Sequence, residues 1–199
     1  MTRVVGDISI SLDGFVTGPN PGPENGLGDG GEALHAWAFS DDPVDREQLR
    51  TATASSGAVV LGRHLFDVVD GPQGWDDEVG YGAREVGRPP FFVVTSDPPA
   101  RTRLSFWTFV TMGLRDAVSQ ARDAAEAGGG DRDVVLMGGG ATVGSALDAG
   151  LLDVLSLHLS PVVLGDGTPL FVGGRGHTLV QRTVTPSTTA VHVVYDVMR

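Results

Sequence analysis

Two glycine-bearing junctions have the residue types and spacing to hold a phosphorylated ligand. Gly62-Arg63-His64 follows the apolar run at 58–61, and Gly138-Gly139-Gly140-Ala141-Thr142 follows the apolar run at 134–137. A β-type run that breaks on glycine where a helical pattern begins aims backbone N–H groups beyond the strand end, which suits an anion. Arg63 adds a guanidinium, which binds a phosphate monoester through paired hydrogen bonds. The three successive glycines let the backbone approach a ligand closely. Thr142 reads equally as the cap of the following helix, and a helix start serves as cap and anion site together. Two such junctions in one chain fit a dinucleotide with two anionic ends. Asp13, ahead of Gly14 at the end of the first apolar run, is the sharpest candidate for proton or hydrogen-bond chemistry, although Asp-Gly is also a common turn pair.

Other residues have plainer readings. Phe15, Trp37 and Trp75 lie in glycine-rich stretches, where they either stack on a planar heterocycle or pin their loops to the core. Asp41, Asp42, Asp45 and Glu47 fit as ordinary first-turn acids that complement a helix dipole. His35, His158, His177 and His192 show no metal-ligand spacing, so no metal site is expected. They read as structural or surface residues, with His158 and His192 also suited to a subunit interface.

The elements that must position these groups alternate along the chain. Strand patterns cover residues 4–12, 58–61, 91–95, 106–110, 134–137 and 154–161. Helical patterns cover 42–54, 63–69, 114–127 and 142–149, the first with proline in its opening turn and the last stopping at Gly150. Residues 178–185 and 188–198 read as a closing antiparallel pair. Residues 16–31 and 70–90 are rich in Gly and Pro and lack a hydrophobic period. The first of these loops directly follows the first strand, which favours an active-site role. This order predicts an α/β fold: a mostly parallel sheet with helices on both faces and an antiparallel C-terminal edge. One domain is expected across the whole chain, since no repeat or linker divides it.

Composition narrows the function classes. The 199 residues carry a formal net charge of −11, which argues against a general nucleic-acid binder. All 14 basic residues are arginine, so no lysine is present for Schiff-base chemistry. With no cysteine there is neither a disulfide framework nor a thiolate metal site. No apolar stretch approaches the ~20 residues of a membrane span, and no leader pattern precedes the first strand, so a cytoplasmic location is expected.

Ser11-Leu12-Asp13-Gly14-Phe15, Leu61-Gly62-Arg63-His64, Thr95-Ser96 and Met137-Gly138-Gly139-Gly140 resemble, in this order, the dihydrofolate reductase superfamily. The stretch from Leu151-Leu152-Asp153 through Leu159-Ser160-Pro161 to Gly165-Asp166-Gly167-Thr168-Pro169-Leu170-Phe171 resembles one branch in particular. That branch contains the reductase domain of the bifunctional riboflavin-biosynthesis deaminase–reductase.

The resemblance implies an eight-stranded dihydrofolate reductase-like sheet binding NADPH across the C-terminal strand ends, in line with ligand placement in open α/β sheets. It implies that Arg63 meets the adenosine 2′-phosphate with His64, Thr95 and Ser96 nearby. Gly62 marks that junction, and Gly138, Gly139, Gly140, Ala141 and Thr142 cradle the pyrophosphate. Asp13 would lie beside nicotinamide and substrate, and the loop at 16–31 would close over them. The implied activity is reduction of a small pteridine-, pyrimidine- or flavin-like heterocycle by a homodimer. The cysteine and histidine ligands of a zinc deaminase are absent, leaving a standalone reductase-type domain. Two alternatives stand beside it: a non-catalytic nucleotide-binding or interaction protein, and a true dihydrofolate reductase.

Overall fold

The computed structural model describes residues 2–198 apart from 23, 73, 77–79, 130 and 174. Strands β1 (Val4–Ile10), β3 (Ser56–Gly62), β4 (Phe91–Val94), β5 (Trp107–Val110), β6 (Asp133–Met137), β7 (Val154–Leu159), β9 (Leu179–Pro186) and β10 (Val191–Val197) form one sheet. Its order is β5-β4-β3-β6-β1-β7-β10-β9. The first six run parallel, and β10 runs antiparallel to both β7 and β9. The mostly parallel sheet with an antiparallel edge agrees with the sequence reading. On the antiparallel side the outermost strand is β9, and β10 lies inside the sheet. The apolar run at 191–195 is thereby covered by strand pairing.

Side-chain alternation along β1 splits the sheet into two faces. Val4, Ile8 and Ile10 pack with Ala58, Val60, Val134 and Leu136 against α3 (Leu114–Ala127) and α4 (Gly140–Asp148). α3 is rich in alanine because Ala117, Ala121 and Ala125 must lie close on the strands, and all three are buried. The opposite face holds a second core, in which Val59, Leu61, Phe91 and Val93 pack against Phe66 and Val69 of α2 (Arg63–Val69).

On that second face, next to β1, lies a segment the sequence did not disclose. Gly31–Phe39 forms a 3₁₀ helix, entered through Gly30 at φ 72°. Its Leu34 and Trp37 are buried, and Trp37 Nε1 donates to Ser9 Oγ of β1 at 2.9 Å. The segment leads into α1 (Pro43–Ala54), where Asp42 caps the helix by accepting the Val44 N–H at 2.8 Å. Pro43 sits in the first turn, where its missing N–H costs nothing.

The loop after β1 is more ordered than its composition predicts. β2 (Phe15–Thr17) pairs with β8 (Thr168–Pro169). Beyond it, the Asp29 carboxylate accepts the side-chain amides of Asn20 and Asn25, each at 2.8 Å, and Gly18 N–H reaches Leu27 O at 2.7 Å. Asn and Asp side chains thus replace the ladder that a hydrophobic period would have built. Among the described residues no helix is long and apolar enough to cross a membrane.

Candidate active site

The parallel strands end on one side of the sheet, and the two junctions read from sequence meet there. Gly62 closes β3 and Arg63 opens α2. Gly138 and Gly139 follow β6 with φ of 60° and 75°, a backbone region that favours glycine. A Cβ built on Gly62 would stand 2.7 Å from Thr142 Oγ1, so the two junctions touch. α4 begins at Gly140, with Gly139 at its N-cap. Thr142 therefore sits in the first turn and is not the cap, and its N–H donates to Gly139 O at 2.9 Å. Ala141 beside it is exposed.

Arg63 is half-buried and already held from two sides. Its Nε donates to Asp67 Oδ1 at 2.8 Å, and a terminal nitrogen donates to the backbone carbonyl of Asp97. The second contact ties α2 to the turn after β4, where Thr95 Oγ1 accepts the Asp97 N–H at 3.2 Å and Ser96 is exposed. Arg63, Thr95 and Ser96 thus form one corner of the strand-end surface. His64 is exposed on the first turn of α2.

Asp13 is exposed and occupied. Its two oxygens accept the N–H groups of Leu164 at 3.1 Å and Gly165 at 2.7 Å, binding the β1–β2 turn to the loop after β7. The Ser11 hydroxyl, followed by those two backbone donors, holds its carboxyl down at about 2. Phe15, two residues on, is partly buried and pairs with Pro169 in the small β2–β8 sheet.

The two tryptophans lie elsewhere than on an open pocket wall. Trp37 is buried, its ring 4.0 Å from that of His158. Trp75 packs against Phe91 and Trp107, the first residues of β4 and β5, at the end of the sheet opposite the glycine junctions. Both readings of aromatic residues in glycine-rich loops were open, and here each ring pins its loop to a core.

A charged cluster that the sequence reading missed lies under the 3₁₀ helix. His158 on β7 and His192 on β10 are both 1% exposed and face each other within one chain, so neither lies at a subunit interface. Their Nδ1 atoms are 2.7 Å apart. His158 Nε2 is 2.8 Å from Asp7 Oδ1, and His192 Nε2 is 2.9 Å from Asp45 Oδ1. Asp45 is fully buried, in contrast to the ordinary first-turn acid its position suggested. It also accepts the hydroxyls of Ser40 and Thr189, each at 2.5 Å. Burial pushes the Asp45 carboxyl up, but the Ser187, Ser40 and Thr189 hydroxyls and His192 outweigh it and hold it at about 2. Burial likewise raises Asp7, but the His158 imidazole, the Ser156 hydroxyl and His192 together outweigh it, leaving Asp7 below the usual carboxylate range. Burial pushes His192 down, against the pull of Asp45. A partial signal was present in the sequence. Asp7 is a charged residue inside an apolar strand pattern, and His158 and His192 sit on strand patterns too.

Among the described residues no group of three or more histidine, cysteine or acidic side chains could hold a metal ion.

The sequence model of the RibD C-terminal domain matches residues 2–193. No curated protein matches the chain. Among solved structures, a candidate riboflavin biosynthesis protein from Shewanella sp. PV-4 superposes with a TM-score of 0.68 at 18% identity, covering 100% of both chains. A diaminohydroxyphosphoribosylaminopyrimidine deaminase/5-amino-6-(5-phosphoribosylamino)uracil reductase from Thermotoga maritima gives 0.60 at 13%, over 99% of this chain and 57% of that one. Dihydrofolate reductase from Enterococcus faecalis, complexed with NADP(H), gives 0.53 at 15%, over 99% and 97%. The sheet order and these superpositions establish a dihydrofolate reductase-like fold, and the chain belongs to the RibD C-terminal domain family.

Proposed function

We propose that this protein is a reductase that uses NADPH to reduce a small pyrimidine-, pteridine- or flavin-like heterocycle. The observation that carries the reading is the contact between the two strand-end junctions, with Gly62 of β3 against Thr142 of α4. An extended dinucleotide requires two anion sites on one surface, and the contact between the two candidate junctions supports that arrangement. Family membership and the named activity of the Thermotoga relative support a reductase of the riboflavin-pathway type. The NADP(H) complex of the Enterococcus relative supports the choice of cofactor.

The residues present fit that cofactor. The bare backbone of Gly138 and Gly139 leaves room beside the first turn of α4, where the N–H groups of a nine-residue helix favour a pyrophosphate. Arg63, with Thr95 and Ser96 beside it and His64 on its flank, would take the 2′-phosphate. Arg63 would exchange its hold on the Asp97 carbonyl for charge-assisted bonds. When bound, the nicotinamide supplies a hydride, and the protein contributes orientation, a dry surface and a proton. Asp13, ionised at neutral pH, is suited to accept a substrate N–H or O–H and not to donate a proton. Phe15 would close the pocket beside it. We infer a homodimer for the working protein, with β9 as the exposed edge open to pairing.

Titration of the purified protein with NADPH and NADH, as wild type and Arg63→Ala, tests the reading. NADPH binding in preference to NADH, weakened by about tenfold or more in Arg63→Ala, is the expected result for losing one charge-assisted phosphate contact. Turnover is then measured with 5-amino-6-(5-phosphoribosylamino)uracil and with dihydrofolate. Binding of neither nucleotide overturns the reductase reading.

A further inference from the structure

We propose that Asp7, His158, His192 and Asp45 form a relay that stores one mobile proton, and that Asp7 hands it to the substrate reduced at the strand-end site. The proposal rests on the reductase reading and adds the proton source.

The storage follows from counting hydrogen-bond donors. A carboxylate only accepts, so His158 must carry its proton on Nε2 toward Asp7, and His192 must do the same toward Asp45. Both Nδ1 atoms then face each other at 2.7 Å. Two lone pairs at that distance repel, whereas one proton between them makes an N–H···N bond. The cluster therefore holds one proton beyond two neutral imidazoles. Two carboxylates flanking the pair balance its positive charge, which is what lets an imidazolium exist with each ring 1% exposed.

The two ends of the relay are not alike. Asp45 has no exposure, and its oxygens are taken up by His192, Ser40 and Thr189. The Asp7 side chain is 14% exposed. Asp7 pairs in register with Met137, the last residue of β6, and its backbone carbonyl accepts the Gly138 N–H at 3.4 Å. The Asp7 backbone thus stands beside the first glycine of the proposed cofactor cradle, and its side chain is the only end of the relay with any exposure. Its side chain lies on the face of the sheet that carries α2 and the 3₁₀ helix, opposite α3 and α4.

Every element packed around the relay adds a polar or charged group. The 3₁₀ helix brings His35, whose Nδ1 is buried without a hydrogen-bond partner, and the Trp37 ring, tilted against His158 with centroids 4.0 Å apart. β1 brings Ser9, and β7 brings Ser156. The loop after α2 brings Tyr81, hydrogen-bonded to Ser56. The turn before β10 brings Ser187 and Thr189.

The step balances. The chemistry a bound nicotinamide would supply is a hydride to the carbon of a polarised C=N or C=O bond of the substrate, which would leave an oxidised nicotinamide and an anionic nitrogen or oxygen. The shared proton moves onto His158 Nδ1, the His158 Nε2 proton passes to Asp7, and Asp7 protonates the anionic atom. Two neutral imidazoles remain. Solvent restores the proton through Asp7 once the product leaves.

Proton NMR of ¹⁵N-histidine-labelled wild-type protein tests the storage without any turnover. The expected result is one strongly downfield N–H proton coupled to the Nδ1 atoms of both His158 and His192. Two independently titrating imidazoles overturn the relay and leave the reductase reading standing. Delivery is tested by Asp7→Asn with NADPH and 5-amino-6-(5-phosphoribosylamino)uracil. The expected kcat falls by about a hundredfold, the lower range for loss of general-acid catalysis, while KM and NADPH affinity hold. Asp7→Glu is expected to restore part of the rate. An unchanged kcat in Asp7→Asn overturns delivery. Absence of wild-type turnover beside an intact shared proton overturns the reductase reading for this substrate, and the delivery step with it.

Discussion

His158 and His192 meet Nδ1 to Nδ1 at 2.7 Å across neighbouring antiparallel strands, and the Trp37 ring covers both. They are register partners, so the contact is fixed by β7–β10 pairing. The position of α1 follows from it, because His192 reaches Asp45 in that helix's first turn. Thr188 adds a second tie, donating its N–H and hydroxyl to Asp42 at 3.0 and 2.7 Å.

Removing one member of this cluster strands a buried charge. Asp45→Asn is expected to cost about 3–5 kcal/mol, the range for breaking a buried, hydrogen-bonded ion pair. His192→Gln alone leaves Asp45 buried and short of a donor, and is expected to cost a similar amount. The double variant should cost less than the sum of the two, because each single change already forfeits the same contact. Urea unfolding of the four proteins checks this, and strict additivity would show that Asp45 and His192 are not coupled.

The sheet, its helices and the glycine junctions were legible because each rests on a local signal. Apolar runs ending on Gly62 and Gly138 mark strand ends, and Asp42-Pro43 marks a helix start. The 3₁₀ helix was not legible, since Gly31–Phe39 gains its stability from Leu34 and Trp37 reaching the sheet and not from any helical period. The His–Asp cluster was hidden for a related reason. Asp7, Asp45, His158 and His192 are far apart in sequence, and their partnership appears only when β1, β7, β10 and α1 converge. Asp45 reads as an ordinary first-turn acid because that residue type at that helix position complements the helix dipole. For Trp75 the pocket and the loop-pinning roles stay open in the sequence because its loop is glycine-rich, and nothing local reveals that the loop folds back on Phe91 and Trp107.

Stability should fall on mild acidification because of His35. Burial, then the neighbouring His158, pushes its pKa from 6.5 down to about 4. Between those values the unfolded chain binds the proton and the folded one does not, so stability rises with pH across that window. The full loss on reaching pH 4 is about 3 kcal/mol from this residue. His35→Leu should remove that part of the slope. Denaturant midpoints measured from pH 6.5 downward check it, and an unchanged slope in the variant would place the acid sensitivity elsewhere.

Gly62 and Thr142 should behave as a coupled pair. A methyl group on residue 62 would press on the Thr142 hydroxyl at 2.7 Å, so either Thr142 rotates or α2 and α4 part. Gly62→Ala is expected to destabilise by about 1–3 kcal/mol, as overpacking does, and to weaken NADPH binding. Thr142→Ala opens the space, and the double variant should regain most of the stability. A double-mutant cycle followed by thermal unfolding reads the coupling directly. If Gly62→Ala alone is as stable as wild type, the junctions have slack, and the contact does not fix their spacing.

Asp13 offers the cleanest separation of a structural from a chemical role. Its carboxylate holds the N–H groups of Leu164 and Gly165 from across the strand-end surface. Asp13→Ala should therefore speed amide hydrogen exchange at those two residues while leaving the midpoint of global unfolding nearly unchanged, because the site is exposed. Asp13→Asn keeps one acceptor oxygen and should restore part of the protection. If the clamp is all that Asp13 provides, turnover in the two variants should track loop protection, with Asn between Ala and wild type. If Asp13 also accepts a hydrogen bond from the substrate, Asp13→Asn should lose far more activity than its loop protection accounts for, since a neutral amide is a weaker acceptor than an ionised carboxylate.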